Sequence, residues 1–132
     1  IQHIDILIVN EVEAMDLFDV NSEQEAQHIL QRDYPHLTVI ITLGAKGVRY
    51  LSAGELIEVL AFKVNAVDTT AAGDTFIGYC LTGLMNEESP KVVLTRACAA
   101  SAICVSRAGA SNTIPSHEEV DYFLQENPRN AT

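Results

Sequence analysis

Apolar residues change their spacing several times along the chain, and each change marks an element. Ile4 to Val9 is a nearly unbroken apolar run and predicts a strand. A short helix is expected from about Val12. An amphipathic helix follows over Ser22 to Asp33, opened by Ser22 as N-cap with Glu25 three residues on in a capping-box spacing. Leu37 to Leu43 is continuous in Val, Ile and Thr, the pattern of a strand buried on both faces. Gly44-Ala45-Lys46-Gly47 predicts a turn, Val48 to Leu51 a returning strand, Ala53-Gly54 a hairpin turn, and Leu56 to Leu60 its partner. Two long helices are expected over Ala71 to Met85 and Pro90 to Val105. Ser116 with Glu119 caps a last helix through Gln125.

Strand, helix, strand, hairpin, then helices is an α/β pattern, and ligands of open α/β sheets sit beyond the carboxyl ends of strands. The 132 residues suit one domain, and 48% apolar content is enough for a core. A net charge of −10 opposes non-specific binding to nucleic acid or an anionic membrane, while leaving open a nucleotide held by local donors and a metal. No apolar run is long enough to span a bilayer, because Arg96 interrupts the longest one. The three cysteines, Cys80, Cys98 and Cys104, lack zinc-site spacing and read as reduced, small apolar residues of a cytoplasmic protein. His3, His28, His36 and His117 show no ligand spacing and are read as surface or capping residues. No P-loop pattern is present. The strand-like opening at Ile1, without an initiator methionine, implies a fragment, a processed product or a truncated gene.

The densest chemistry lies in Asp68-Thr69-Thr70-Ala71-Ala72-Gly73-Asp74, directly before the apolar helical run from Thr75. Small residues at a helix start let a phosphate approach backbone N–H groups, where the helix dipole favours negative charge. One residue past the glycine, the Asp74 carboxylate could take a proton from an alcohol. That division of labour is what phosphoryl transfer requires. Without that chemistry, Asp68 and Thr70 would be turn and capping residues and Gly73 a packing residue.

The run from Asp68 to Phe76 resembles the C-terminal signature of the ribokinase-like sugar kinases, the phosphofructokinase-B family, and within it the ribokinase branch. The resemblance implies a ribokinase-like three-layer α/β sandwich. This chain would supply its C-terminal nucleotide-binding portion with an incomplete sheet; the N-terminal sugar-binding part and lid have no counterpart in it. It implies Asp74 as catalytic base and the N–H groups of Ala71, Ala72 and Gly73 as an anion hole. Asn10-Glu11-Val12-Glu13 is similar to the family's Asn-x-x-Glu, which places Asn10 at the nucleotide phosphates and Glu13 at magnesium through water; by itself, Glu13 is a first-turn acid favoured by the helix dipole. Thr42-Leu43-Gly44-Ala45-Lys46-Gly47 resembles the family's nucleotide-binding turn, so Thr42, Gly44, Lys46 and Gly47 are implied nucleotide contacts. Cys98 would lie near the adenine. Asp68, Thr70, Cys104, Arg107, Gly109 and Thr113 would surround potassium, mostly through backbone carbonyls.

The implied reaction moves the γ-phosphoryl group of ATP, with Mg²⁺ and K⁺, to a primary hydroxyl of a pentose, ribose before other sugars. The full-length parent would perform it, the isolated chain being inactive, and the resemblance allows a homodimer of that parent. A second reading has the chain as a non-catalytic nucleotide-binding or interaction module, since the sugar half of the site is missing.

Overall fold

The computed structural model describes residues 5–64, 72–106 and 114–128. The chain forms two compact units, Ile1–Leu60 and Ala61–Thr132.

In the first unit, β1 (Ile6–Asn10), α1 (Glu11–Phe18) and α2 (Glu23–Asp33) precede β2 (Thr38–Thr42). A single 3-10 turn, Gly44–Lys46, leads into the hairpin of β3 (Val48–Ser52) and β4 (Glu55–Val59). The sheet order is β1-β2-β3-β4. β1 and β2 are parallel, with Asn10 beside Thr42, as a crossover through helices permits. The two later pairings are antiparallel, with Ile40 opposite Tyr50 and Arg49 opposite Glu58.

Alternation divides the sheet residues between its two faces. Val39, Ile41 and Leu51 form one core cluster with Leu30 of α2 and Leu43, and Leu7, Val9, Phe18 and Leu37 pack against it. This is the face that the two helices cover. Ile40, Val48 and Tyr50, on the opposite face, are also buried, so β2 is enclosed on both sides, as its unbroken apolar run predicts. Arg49 ties α2 to the sheet: it contacts Glu23 at 3.2 Å, Gln27 at 3.5 Å and Glu58 at 2.9 Å.

The second unit is helical: α3 (Ala72–Met85), α4 (Pro90–Val105) and α5 (His117–Glu126). Pro90 opens α4 at a position where its missing N–H costs nothing. Nine residues of α4, four of them alanine, are buried, which explains the absence of a polar stripe over most of its length. Gly83 of α3 is a closest-approach residue: a Cβ there would stand 2.7 Å from Val93 Cγ2. Val120 of α5 is buried with Ala99, Ala100 and Ile103, and Phe62, Tyr79, Phe123 and Leu124 surround them.

The expected elements are all present, with shifts of one or two residues at their ends. Of the expected α2 capping box, one half is made: Ser22 Oγ accepts from the Glu25 N–H at 3.2 Å. The complete box of the first unit is at α1, where Asn10 is the cap; Asn accepts from a helix N–H as well as Ser does. Ser116 and Glu119 form the expected reciprocal box at α5. Ala71, and residues 107–113 of the expected potassium loop, lie outside the described residues.

Candidate phosphoryl-transfer site

At the carboxyl end of the parallel pair, Asn10 and Thr42 are register partners on adjacent strands. Both therefore lie where α/β folds place ligands. Asn10 Oδ1 accepts from the Glu13 N–H at 2.7 Å, and Glu13 Oε1 accepts from the Asn10 N–H at 2.9 Å. The capping and functional readings of this motif are compatible. The box occupies Asn10 Oδ1 and Glu13 Oε1, leaving the Asn10 amide NH₂ and Glu13 Oε2 on an exposed surface. Thr42 Oγ1 makes only a long contact, 3.5 Å, to the Val9 carbonyl, so its hydroxyl is barely committed.

The turn after β2 is built by its glycines. Gly44 has φ +60 and Gly47 has φ +118, both left-handed conformations that a side chain resists. A Cβ on Gly44 would meet nothing within 4 Å, so the glycine is there for backbone conformation and leaves its surface open. Leu43 and Gly47 close the turn through a 2.8 Å N–H to carbonyl bond, and Lys46 stands exposed at its tip.

In the second unit, Gly73 and Asp74 occupy the exposed first turn of α3. First-turn N–H groups have no partner within their helix, so those of Ala72 and Gly73 are donors available to an anion. A Cβ on Gly73 would again meet nothing within 4 Å, which leaves the space above this turn open. Thr75 and Phe76, buried behind them, hold the turn in place, and Thr75 Oγ1 approaches Cys104 Sγ at 3.7 Å. Cys104 lies in the last turn of α4, whose carbonyl end carries the negative pole of the helix and suits a cation.

Cys98 is 8% exposed in the interior of α4. Burial, with Cys98 beside it, pushes the Cys80 thiol up to about 12. Any adenine contact of Cys98 is restricted to its narrow exposed edge. Among the described residues, no three His, Cys, Asp or Glu side chains gather to hold a metal ion. A magnesium ion that keeps most of its waters and arrives on nucleotide phosphates needs no such cage, and Glu13 fits the single acid that it would use. Of the implied site, Asp68, Thr70, Ala71, Arg107, Gly109 and Thr113 lie outside the described residues.

One arrangement escapes a linear reading. Tyr79 donates its phenol to the Pro115 carbonyl at 2.6 Å, and Arg96 contacts both Asp121 and His117. Partners 21 to 36 residues apart carry no local signal. Among the described residues, no helix is long and apolar enough to cross a membrane.

Residues 1–117 match the profile of the pfkB family of carbohydrate kinases. A ribokinase of Haemophilus influenzae is 40% identical over 126 residues, which cover 92% of this chain and 41% of the relative. The chain thus spans about two-fifths of the length of such relatives. Among solved structures, the ribokinase of Arabidopsis thaliana complexed with ribose and ATP aligns at TM-score 0.81 and 28% identity, over 92% of this chain and 41% of that one. A ribokinase II-type protein of Escherichia coli, in complex with ATP and Mg²⁺, aligns at TM-score 0.80 and 28% identity, over 92% and 39%. The fold is therefore the ribokinase-like α/β fold, and the chain belongs to the pfkB family of carbohydrate kinases.

Proposed function

We propose that this chain carries the nucleotide, anion-hole and monovalent-cation sites of a sugar kinase, and that its full-length parent transfers the γ-phosphoryl group of ATP to a primary hydroxyl of ribose in the cytoplasm. The observation that carries the reading is the exposed Gly73-Asp74 pair on the first turn of α3, with open space above the glycine. The A. thaliana relative, held with ribose and ATP, supports the choice of substrates.

In this reaction the sugar hydroxyl oxygen attacks the γ-phosphorus as its proton passes to the Asp74 carboxylate. The bond from the γ-phosphorus to the bridging oxygen breaks, ADP leaves with that electron pair, and Asp74 returns its proton to water. The N–H groups of Ala71, Ala72 and Gly73 hold the transferring oxygens, where charge accumulates. Asn10 Nδ2, Thr42, Lys46 and the backbone of Gly44 and Gly47 hold the nucleotide, with Cys98 at the edge of the adenine. Glu13 Oε2 accepts from a water on magnesium; when bound, that ion neutralises phosphate charge. Asp68, Thr70, Cys104, Arg107, Gly109 and Thr113 would hold potassium, mostly through carbonyls, and the ion would supply a fixed positive charge there.

The test is Asp74→Asn in the full-length parent. A general base is worth about 10² to 10⁴ in rate, so turnover should fall by at least about 10²-fold while ATP affinity stays unchanged. Near-normal ribose phosphorylation by this variant would remove Asp74 from the base role.

A further inference from the structure

β1 is the first strand of its sheet, so one of its edges has no neighbour among the described residues. Which groups face that edge follows from one bond: the Thr38 N–H donates to the Asp5 carbonyl at 2.9 Å, in a register that sets Ile6 beside Thr38. The N–H and C=O groups of successive strand residues point to alternate sides. Asp5, Leu7 and Val9 therefore face β2, and Ile6 and Ile8 turn their N–H and C=O groups to the open edge. The Asn10 N–H, next in that row, is already taken by Glu13 Oε1 at 2.9 Å.

We propose that this edge is an interaction surface for one further β-strand, parallel to β1, supplied by the part of the parent that lies outside this chain. The two edges of the sheet differ in composition. β4, at the other edge, carries Glu55 and Glu58, both exposed, and charges of this kind keep a terminal strand from further pairing. β1 carries Ile6, Leu7, Ile8 and Val9 without a charge, the same kind of run as Val39, Ile40 and Ile41 of β2. In β2 that run is buried; in β1 it is only half-buried. A continuous apolar run belongs to strands with parallel neighbours and cover on both faces, so β1 has the residues of an interior strand in an edge position. The relatives point to the occupant. The H. influenzae ribokinase aligns over 41% of its length, so more than half of such a protein lies beyond the matched region. A second copy of this chain is the poorer occupant: it would bring together two chains of net charge −10, with Asp5 and Glu11 at the ends of the strand. A parallel neighbour ends where β1 ends, beside Asn10, so the chain that follows it enters the region of the candidate site. Only that last step rests on the sugar-kinase reading; the strand addition does not.

The experiment is amide hydrogen exchange, read residue by residue by NMR, on the 132-residue chain and on the full-length parent. In the chain, the Ile6 and Ile8 amides should exchange at least about 10²-fold faster than those of Leu7 and Val9; in the parent all four should be protected alike. Fast exchange of Ile6 and Ile8 in the parent would overturn the proposal. Slow exchange of the same two amides in the dilute chain would overturn it as well, since the chain's own residues would then cover the edge. Protection that grows with chain concentration would make the occupant a second copy, against the proposal. Short contacts from the α-protons of Leu7 or Val9 to α-protons of the added strand would show an antiparallel neighbour and overturn the direction. Ile8→Pro removes an outward N–H and no bond to β2, while Ile8→Ala loses the side chain and keeps the N–H. Relative to Ile8→Ala, Ile8→Pro should lower the folding equilibrium of the parent by about a further fivefold, the effect of one ordinary hydrogen bond, and that of the chain by much less. Equal losses in chain and parent would count against the added strand. A parent that protects this edge yet phosphorylates no sugar would overturn the sugar-kinase reading and leave the strand addition standing.

Discussion

Two glycines of α3, ten residues apart, serve opposite purposes. At Gly83 an added methyl would sit 2.7 and 2.9 Å from the γ-carbons of Val93, a β-branched residue with little freedom to turn aside. Gly83→Ala should therefore destabilise the chain by about 1–3 kcal/mol despite the gain in helix propensity, whereas Gly73→Ala, with nothing in its way, should be neutral or slightly stabilising. If Gly73 instead leaves room for a phosphate, its alanine variant should lose about 10²-fold in turnover, the scale of one impaired oxyanion donor. Urea denaturation of both variants, set beside kinetics in the parent, separates the roles; equal stability losses would show that Gly73 is also a packing residue. Cys80 supplies a second residue-scale test. Its thiol rises from an ordinary 9.0 to about 12 in the folded chain, so the unfolded state loses that proton first. Stability must then fall as pH rises through roughly 9 to 12, at up to about 1.4 kcal/mol per pH unit from this group. The pH slope of unfolding should be shallower in Cys80→Ala than in the wild type over that window.

Elements are where capping and chemistry overlap. Asn10 and Glu13 close α1 with two reciprocal bonds of 2.7 and 2.9 Å, and the same pair is proposed to meet phosphate and magnesium-bound water. The roles separate by substitution. Asn10→Ala removes the cap acceptor and should cost about 0.5–2 kcal/mol in stability. Glu13→Gln keeps an oxygen for the Asn10 N–H while removing the charge, so stability should hold while the magnesium requirement of the parent rises. An unchanged magnesium titration would leave Glu13 with capping alone. A cap spans four consecutive residues, and Ser116 with Glu119 formed as expected, whereas the box at α1 was not expected, Glu13 having been read only as a first-turn acid beside its proposed metal role. At α2 the same pattern produced one bond of the two, since a box needs the acid to turn back to the cap as well as the cap to reach forward. The Gly44–Gly47 turn was legible too, because only glycine takes φ of +60 and +118 without strain.

At the scale of the whole molecule, a net charge of −10 means that the proposed nucleotide binding would rest on local donors: helix N–H groups, glycine backbone, Lys46 and an accompanying metal. The 132-residue chain, titrated with Mg-ADP in potassium and again in a bulky organic cation, should show saturable binding that weakens without potassium. Absence of heat from a chain shown to be folded would mean that these donors do not assemble without the rest of the parent, and the interaction-module reading would move ahead. The sequence by itself determined the order of the elements, the caps, the turns and the small-residue run before Asp74, because each is encoded within one helical turn or one strand by spacing and backbone preference. It also carried the family signature. Tertiary structure alone decided that Arg49 would join α2 to β4, that Gly83 would be the close approach to Val93, that Cys98 would be largely buried, and that Tyr79 would meet Pro115. Those contacts join residues roughly 9 to 36 positions apart, and no local propensity specifies them. They arise when packing of the apolar faces brings distant side chains together, and only there does a hydroxyl or a missing methyl acquire its consequence.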